Sequence, residues 1–97
     1  MNNELITITE YCVKYEIDPL FINSLEESGI IVFTNVGLEK FIHTAQFAEI
    51  DRYIHFHYDL HINIEGIDAI RHLLNKVSDL QDEISQLKRQ LLLHESQ

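Results

Sequence analysis

His55, His57 and His61 crowd into the stretch HFHYDLH, and His57 and His61 stand four apart, a spacing that lets one helical face offer two imidazoles to a metal ion. A zinc site needs further ligands, and neither a Cys nor a third ligand at fixed spacing follows. Asp59 falls on a different helical face, and His72 lies far along the chain. The stretch therefore reads as polar residues at the end of a helix rather than as a metal centre. Cys12 is the single cysteine, so neither an internal disulfide nor a Cys-based zinc site is available, and it reads as a small buried residue of a first helix. Paired carboxylates in a recognisable motif, a Gly-rich phosphate loop and an activated Ser or Cys are all missing from the pattern. The expectation is a protein without catalytic residues, metal or cofactor.

What remains to do chemistry is charge. The 97 residues carry 16 acids against 7 Lys and Arg, a net charge of -9. That balance disfavours nucleic acid and anionic membranes and favours a basic protein surface. Apolar runs such as Gly29 to Phe33 and Leu91 to Leu93 are far below the roughly 20 residues of a membrane span. The start, MNNELITITE, lacks the basic and apolar stretches of a signal peptide, so a cytoplasmic location is expected.

The elements that position these charges are legible from caps and periodicity. Thr7 and Glu10 make a capping box for a first helix over Ile8 to Glu16 that buries Ile8, Tyr11 and Cys12, with Tyr15 as a further candidate. Asp18-Pro19 opens a second helix, which runs to Ser28 and stops at Gly29. The short link at Ile17 makes the pair a helix-turn-helix. Ile30 to Thr34 and Leu38 to Ile42, around Asn35-Val36-Gly37, read as the two strands of a wing. From Thr44, Phe47, Ala48, Ile50, Ile54 and Tyr58 recur at helical spacing to about Leu60, and Asn63 caps a last helix.

That last helix has the clearest pattern. Ile70, Val77, Ile84 and Leu91 recur every seven residues, with Leu73, Leu80 and Leu87 three after each of the first three, an a/d seam over three heptads. Ile70 to Val77 could instead fold back on the third helix. Beyond residue 80 a chain this short has little left to cover Leu80, Ile84, Leu87 and Leu91, so a second copy is expected there, with strand direction open. The fold class is mainly α: a winged helix-turn-helix followed by a helix pair whose last member forms a coiled coil. We expect one domain over 1–97, with a winged module (1–42), a third helix and connection (43–64) and the C-terminal helix (65–97).

The helix-turn-helix is a DNA-reading shape with the wrong charge. Residues 1–42 hold seven acids and two bases, Lys14 and Lys40, a local net of -5. The second helix contributes Asp18, Glu26 and Glu27 with no Lys or Arg, whereas a duplex needs several cationic phosphate contacts.

The stretch ITITEYCVKYEIDPLFINSLEESGII resembles the N-terminal module of MerR-type regulators. Where that family has an Arg-Tyr-Tyr-like stretch and a basic wing, this chain has Phe21-Ile22-Asn23 and the uncharged Ile31 to Val36. A closer resemblance, over nearly the whole length, is to the acidic CbpM-type chaperone modulators. It is carried by Arg52, His57, Asp59, Leu60, Glu65, Gly66 and Ile67 in that order. The resemblance implies binding to the J-domain of a CbpA-like, DnaJ-family co-chaperone and exclusion of its DnaK-type partner. J-domains of that class present a basic helix to DnaK, which an acidic surface would capture.

Two acidic faces could serve: Glu16, Asp18, Glu26 and Glu27 on the helix-turn-helix, or Asp51, Asp59, Glu65 and Asp68 around the third and fourth helices. The alternative is a MerR-like transcription regulator, dimeric through the same last helix, on a palindromic operator. A third is an oligomerising adaptor for another basic protein. Arg52 and Arg71 read as helix-surface ion-pair partners, and Gly66 as a place where a partner helix comes close.

Overall fold

The structure is a computed structural model that describes residues 4–95. Strand β1 (Leu5–Thr7) leads into helix α1 (Ile8–Tyr15), followed by helix α2 (Pro19–Glu27) and strands β2 (Thr34–Val36) and β3 (Glu39–His43). A single 3₁₀ turn (Thr44–Gln46) then enters helix α3 (Phe47–Ile54), which widens into a π turn (His55–Asp59) before the 32-residue helix α4 (Ile64–Glu95).

The helix starts are where their caps put them. Thr7 Oγ1 accepts from the Glu10 backbone N–H at 3.0 Å, and the Thr7 N–H donates back to the Glu10 carboxylate at 3.1 Å. Asp18 Oδ1 accepts from the Leu20 N–H at 2.9 Å with Pro19 at the first helical position, where a missing N–H leaves nothing unpaired. Helix α2 ends as Gly29 turns left-handed, at φ 73°, and the Ile30 N–H bonds back to the Leu25 carbonyl at 2.9 Å.

The wing differs from its sequence reading in register and in strand number. Ile30 to Phe33 do not form a strand: Ile30, Ile31 and Phe33 are buried beneath the sheet as an irregular segment, and pairing begins only at Thr34. β-branched residues suit burial as well as a ladder, and here burial wins. The sheet gains β1 at its other edge, in the order β1-β3-β2, all antiparallel, with Ile6 opposite Ile42 and Thr34 opposite Phe41. Gln46 ties the wing to the next helix, since its Oε1 accepts from the His43 N–H at 2.9 Å and its amide nitrogen donates to the Val32 carbonyl at 2.7 Å.

One core joins these elements, with Tyr11 of α1, Ile22 and Leu25 of α2, Ile42 of β3, Ile50 and Tyr53 of α3 and Ile67 of α4 all buried. Ile8 and Tyr15 do not reach it fully: Ile8 is half-buried, and Tyr15 is exposed with its ring against Tyr11, centroids 4.7 Å apart. Ala48 is also exposed, because the buried stripe of α3 runs through Ile50 and Tyr53 instead.

Helix α4 packs only through its first two turns. Its cap is Asn63, whose Oδ1 accepts from the Gly66 N–H at 2.8 Å. Gly66 is small for a reason internal to the chain: a Cβ there would stand 2.6 Å from Ile62 Cγ2. Ile70 is half-buried, and every described residue from His72 onward is exposed, so Ile70 to Val77 do not fold back on α3 as a packed pair. The helix projects from the core, and the molecule measures 59 × 34 × 20 Å.

Candidate functional site

The outer face of the helix-turn-helix is short of positive charge in space as well as in sequence. Lys40, the single Lys or Arg between residues 30 and 43, reaches from β3 to Glu26 of α2, with Nζ and Oε1 2.5 Å apart. Lys14 sits over the Tyr15 ring at 5.6 Å on α1. The depression between α1, α2 and the wing, about 300 Å³, is lined by Thr9, Pro19, Asn23 and Leu38 besides Lys40 and Glu39. Leu38 stands fully exposed at the wing tip. A phosphate backbone laid there would meet one cation that a carboxylate already holds.

The two acidic faces are not equivalent. Glu26 is engaged by Lys40, while Glu16 and Glu27 are exposed. Asp68 is engaged by Arg71 at 2.9 Å and lies 3.6 Å from His72. Asp59 holds His55 at 2.7 Å, and Asp51 and Glu65 are exposed. Asp18 belongs to both faces, since it lines one groove with His57, Tyr58 and Ile64.

That groove is created by the π turn. The Leu60 N–H bonds to the His55 carbonyl, and the Ile62 N–H to the Phe56 carbonyl at 2.9 Å, while His61 takes the left-handed conformation at φ 58°. The wider turn lays the His57 ring flat on Phe21, with centroids 4.5 Å apart and 18° between planes. Tyr58 stands edge-on to both rings, at 5.6 and 4.8 Å. His57 Nδ1 meets the Ile62 carbonyl at 3.1 Å, so the ring is held on two sides. His57 is thus a half-buried packing residue, a correction to its reading as a polar helix-end side chain. Beyond Leu20, Phe21 and Ser24 on α2, the groove holds about 310 Å³. It adjoins a second depression of about 390 Å³, which shares His57 and Tyr58 and extends to His61, Ile62 and Asn63. The aromatic trio has no signal in single-element periodicity, because Phe21 and His57 lie 36 positions apart on two different helices.

Within HFHYDLH, His55 therefore turns to Asp59, and His57 to Phe21 and the Ile62 carbonyl. Among the described residues no group of three or more His, Cys, Asp and Glu is placed to hold a metal ion. Cys12 is buried, and burial, with Asp18 nearby, pushes its thiol pKa up, which disfavours the thiolate.

A cleft of about 310 Å³ between α3 and α4 is lined by Arg52, Arg71, Glu49 and Tyr53. Arg71 pairs with Asp68 as its spacing suggests, whereas no ion pair joins Arg52 among the described residues. Tyr53 Oη donates to Glu49 Oε2 at 2.5 Å. Burial and this bond to a carboxylate hold the phenol well above its ordinary pKa.

The seam residues Leu73, Val77, Leu80, Ile84, Leu87 and Leu91 are all exposed in the single chain, and Ile70 is half-covered. No described helix is long and apolar enough to cross a membrane.

No curated protein and no solved structure matches the chain. A family model described as MerR HTH family regulatory protein matches residues 6–89, from β1 through most of α4. With the match spanning the helix-turn-helix, the wing and the long helix alike, the chain belongs to the MerR helix-turn-helix family of regulatory proteins.

Proposed function

We propose that this member of the family regulates a protein rather than a promoter: it is a non-enzymatic, CbpM-like modulator that binds the J-domain of a CbpA-like, DnaJ-family co-chaperone and blocks its engagement of a DnaK-type chaperone. The observation that carries the reading is the Lys40–Glu26 pair, which occupies the wing's lone cation beside a helix-turn-helix whose own single cation is Lys14. A basic J-domain helix is attracted by the field that repels a duplex. The chain works in the cytoplasm as a dimer whose two α4 helices cover each other's seam, a reading supported by the exposed stripe of Leu, Ile and Val over three heptads, which pairing would bury.

The test is a calorimetric titration of the chain with the J-domain of the co-chaperone from the same cell, followed by competition with DnaK. Saturable binding that DnaK displaces is the expected result, and no heat of binding at either of two temperatures about 15 °C apart would overturn the reading, because burial of apolar surface gives an enthalpy that changes with temperature. A second reading, a DNA-binding transcription regulator, is favoured by the family match itself. It requires duplex binding that weakens steeply as salt rises.

A further inference from the structure

We infer that the groove between α2 and the π turn is the docking surface for one cationic amphipathic helix. An apolar residue of that helix packs among Leu20, Phe21 and Tyr58, while its Lys and Arg side chains reach Asp18, Asp59 and Glu65. This rests on the reading of the chain as a binder of a basic protein and names the surface that does it.

Three observations converge on this groove. Its floor is built: Phe21 is buried, and the His57 ring is clamped between Phe21 and the Ile62 carbonyl, so the aromatic wall is ordered before any partner arrives. Its mouth is apolar and open, with Leu20 71% exposed in the first turn of α2 and Tyr58 and Leu60 exposed on the facing turn. The charge around it has one sign. Residues 18–24 and 55–66, which supply every lining side chain, contain Asp18, Asp59 and Glu65 and not one Lys or Arg. By contrast, Glu26 stands beside Lys40 and Asp68 beside Arg71. An aromatic groove bordered by Asp18, Glu65 and Asp59, the last bonded to His55 at 2.7 Å, with no Lys or Arg beside them, suits an apolar helix face flanked by cations, and the Tyr58 ring gives such a cation a π face as well.

Leu20→Glu and Tyr58→Glu separate docking from mere attraction, because both make the chain more negative. Long-range attraction to a basic partner would be tightened by either change, whereas docking in the groove loses its apolar anchor. Leu20→Glu also places an acid in the first turn of a helix, where it is favourable, so folding is preserved, and circular dichroism checks this for both variants. Each full-length variant is titrated at about 0.15 M salt, near physiological strength, with two probes: the J-domain, and a synthetic Lys/Leu amphipathic helix. We expect at least a tenfold loss of affinity in both variants. J-domain binding of unchanged or greater strength in both would overturn the groove while leaving the chaperone reading intact. Groove-dependent binding of the synthetic helix without any J-domain binding would overturn the chaperone reading and support the groove. Binding of neither probe would overturn both. Sedimentation of the same variants covers the remaining occupant: if Leu20→Glu dissociates the dimer, the groove holds a second copy of this chain and the inference fails.

Discussion

Lys40 Nζ on β3 lies 2.5 Å from Glu26 Oε1 on α2, so the wing is stitched to the second helix by the one cation it would need for a phosphate. Both side chains are partly exposed, and a pair of this kind contributes at most about 1 kcal/mol to folding. Lys40→Met should therefore shift the urea midpoint only slightly. Its larger meaning is electrostatic. Fluorescence anisotropy with a random duplex at low salt should detect no binding in the roughly 10⁻⁴ to 10⁻⁶ M range of ordinary non-specific DNA-binding proteins. Micromolar binding with a steep salt dependence would show that the acidic field does not decide the partner.

Ile84 is half-exposed at the middle of the α4 seam, so a charge there costs the isolated chain little and a paired coil a great deal. Ile84→Lys should convert a dimer to a monomer in sedimentation experiments, with helical content of the core unchanged. A dimer that survives the substitution would remove the coiled coil from the account.

Gly66 sits one helical turn from Ile62, whose Cγ2 would be 2.6 Å from a Cβ at position 66. Ile is stiff at its branched carbon and Asn63 is held as the cap, so neither gives way cheaply. Gly66→Ala should destabilise the chain by about 1–2 kcal/mol despite the better helix propensity of Ala, an overpacking cost. Ile62→Ala in the same chain should recover part of the loss, which chemical denaturation of the two variants measures.

Tyr11 is almost fully buried, and burial, reinforced by the Asp51 carboxylate, raises its phenol from 10.0 to about 12. The folded state thus keeps a proton that the unfolded chain gives up. The stabilisation is complete below pH 10 and is lost as pH rises through 12, at about 1.4 kcal/mol per unit. Tyr53 is shifted in the same direction by burial and by its bond to Glu49. Urea denaturation from pH 9 to 11 should show a falling midpoint in the wild type and a shallower fall in Tyr11→Phe.

Local chemistry was written along the chain and read without difficulty. Thr7 with Glu10, Asp18 with Pro19, Gly29 and Asn63 set the ends of α1, α2 and α4, because a cap acts within four residues and needs no distant partner. The heptads of α4 and the acidity of the helix-turn-helix were equally plain, since both are sums over neighbouring positions. Tertiary structure decided everything that depends on which buried surface competes best. It buried Ile30, Ile31 and Phe33 in the core, where the sequence pattern predicts a strand, and recruited Leu5 to Thr7 as the third strand. It also opened α3 into a π turn, so that His57 came to rest on Phe21 and Asp18 came to share a groove with Tyr58. Such contacts join residues dozens of positions apart, and their energy depends on shape complementarity that no periodicity within one element encodes.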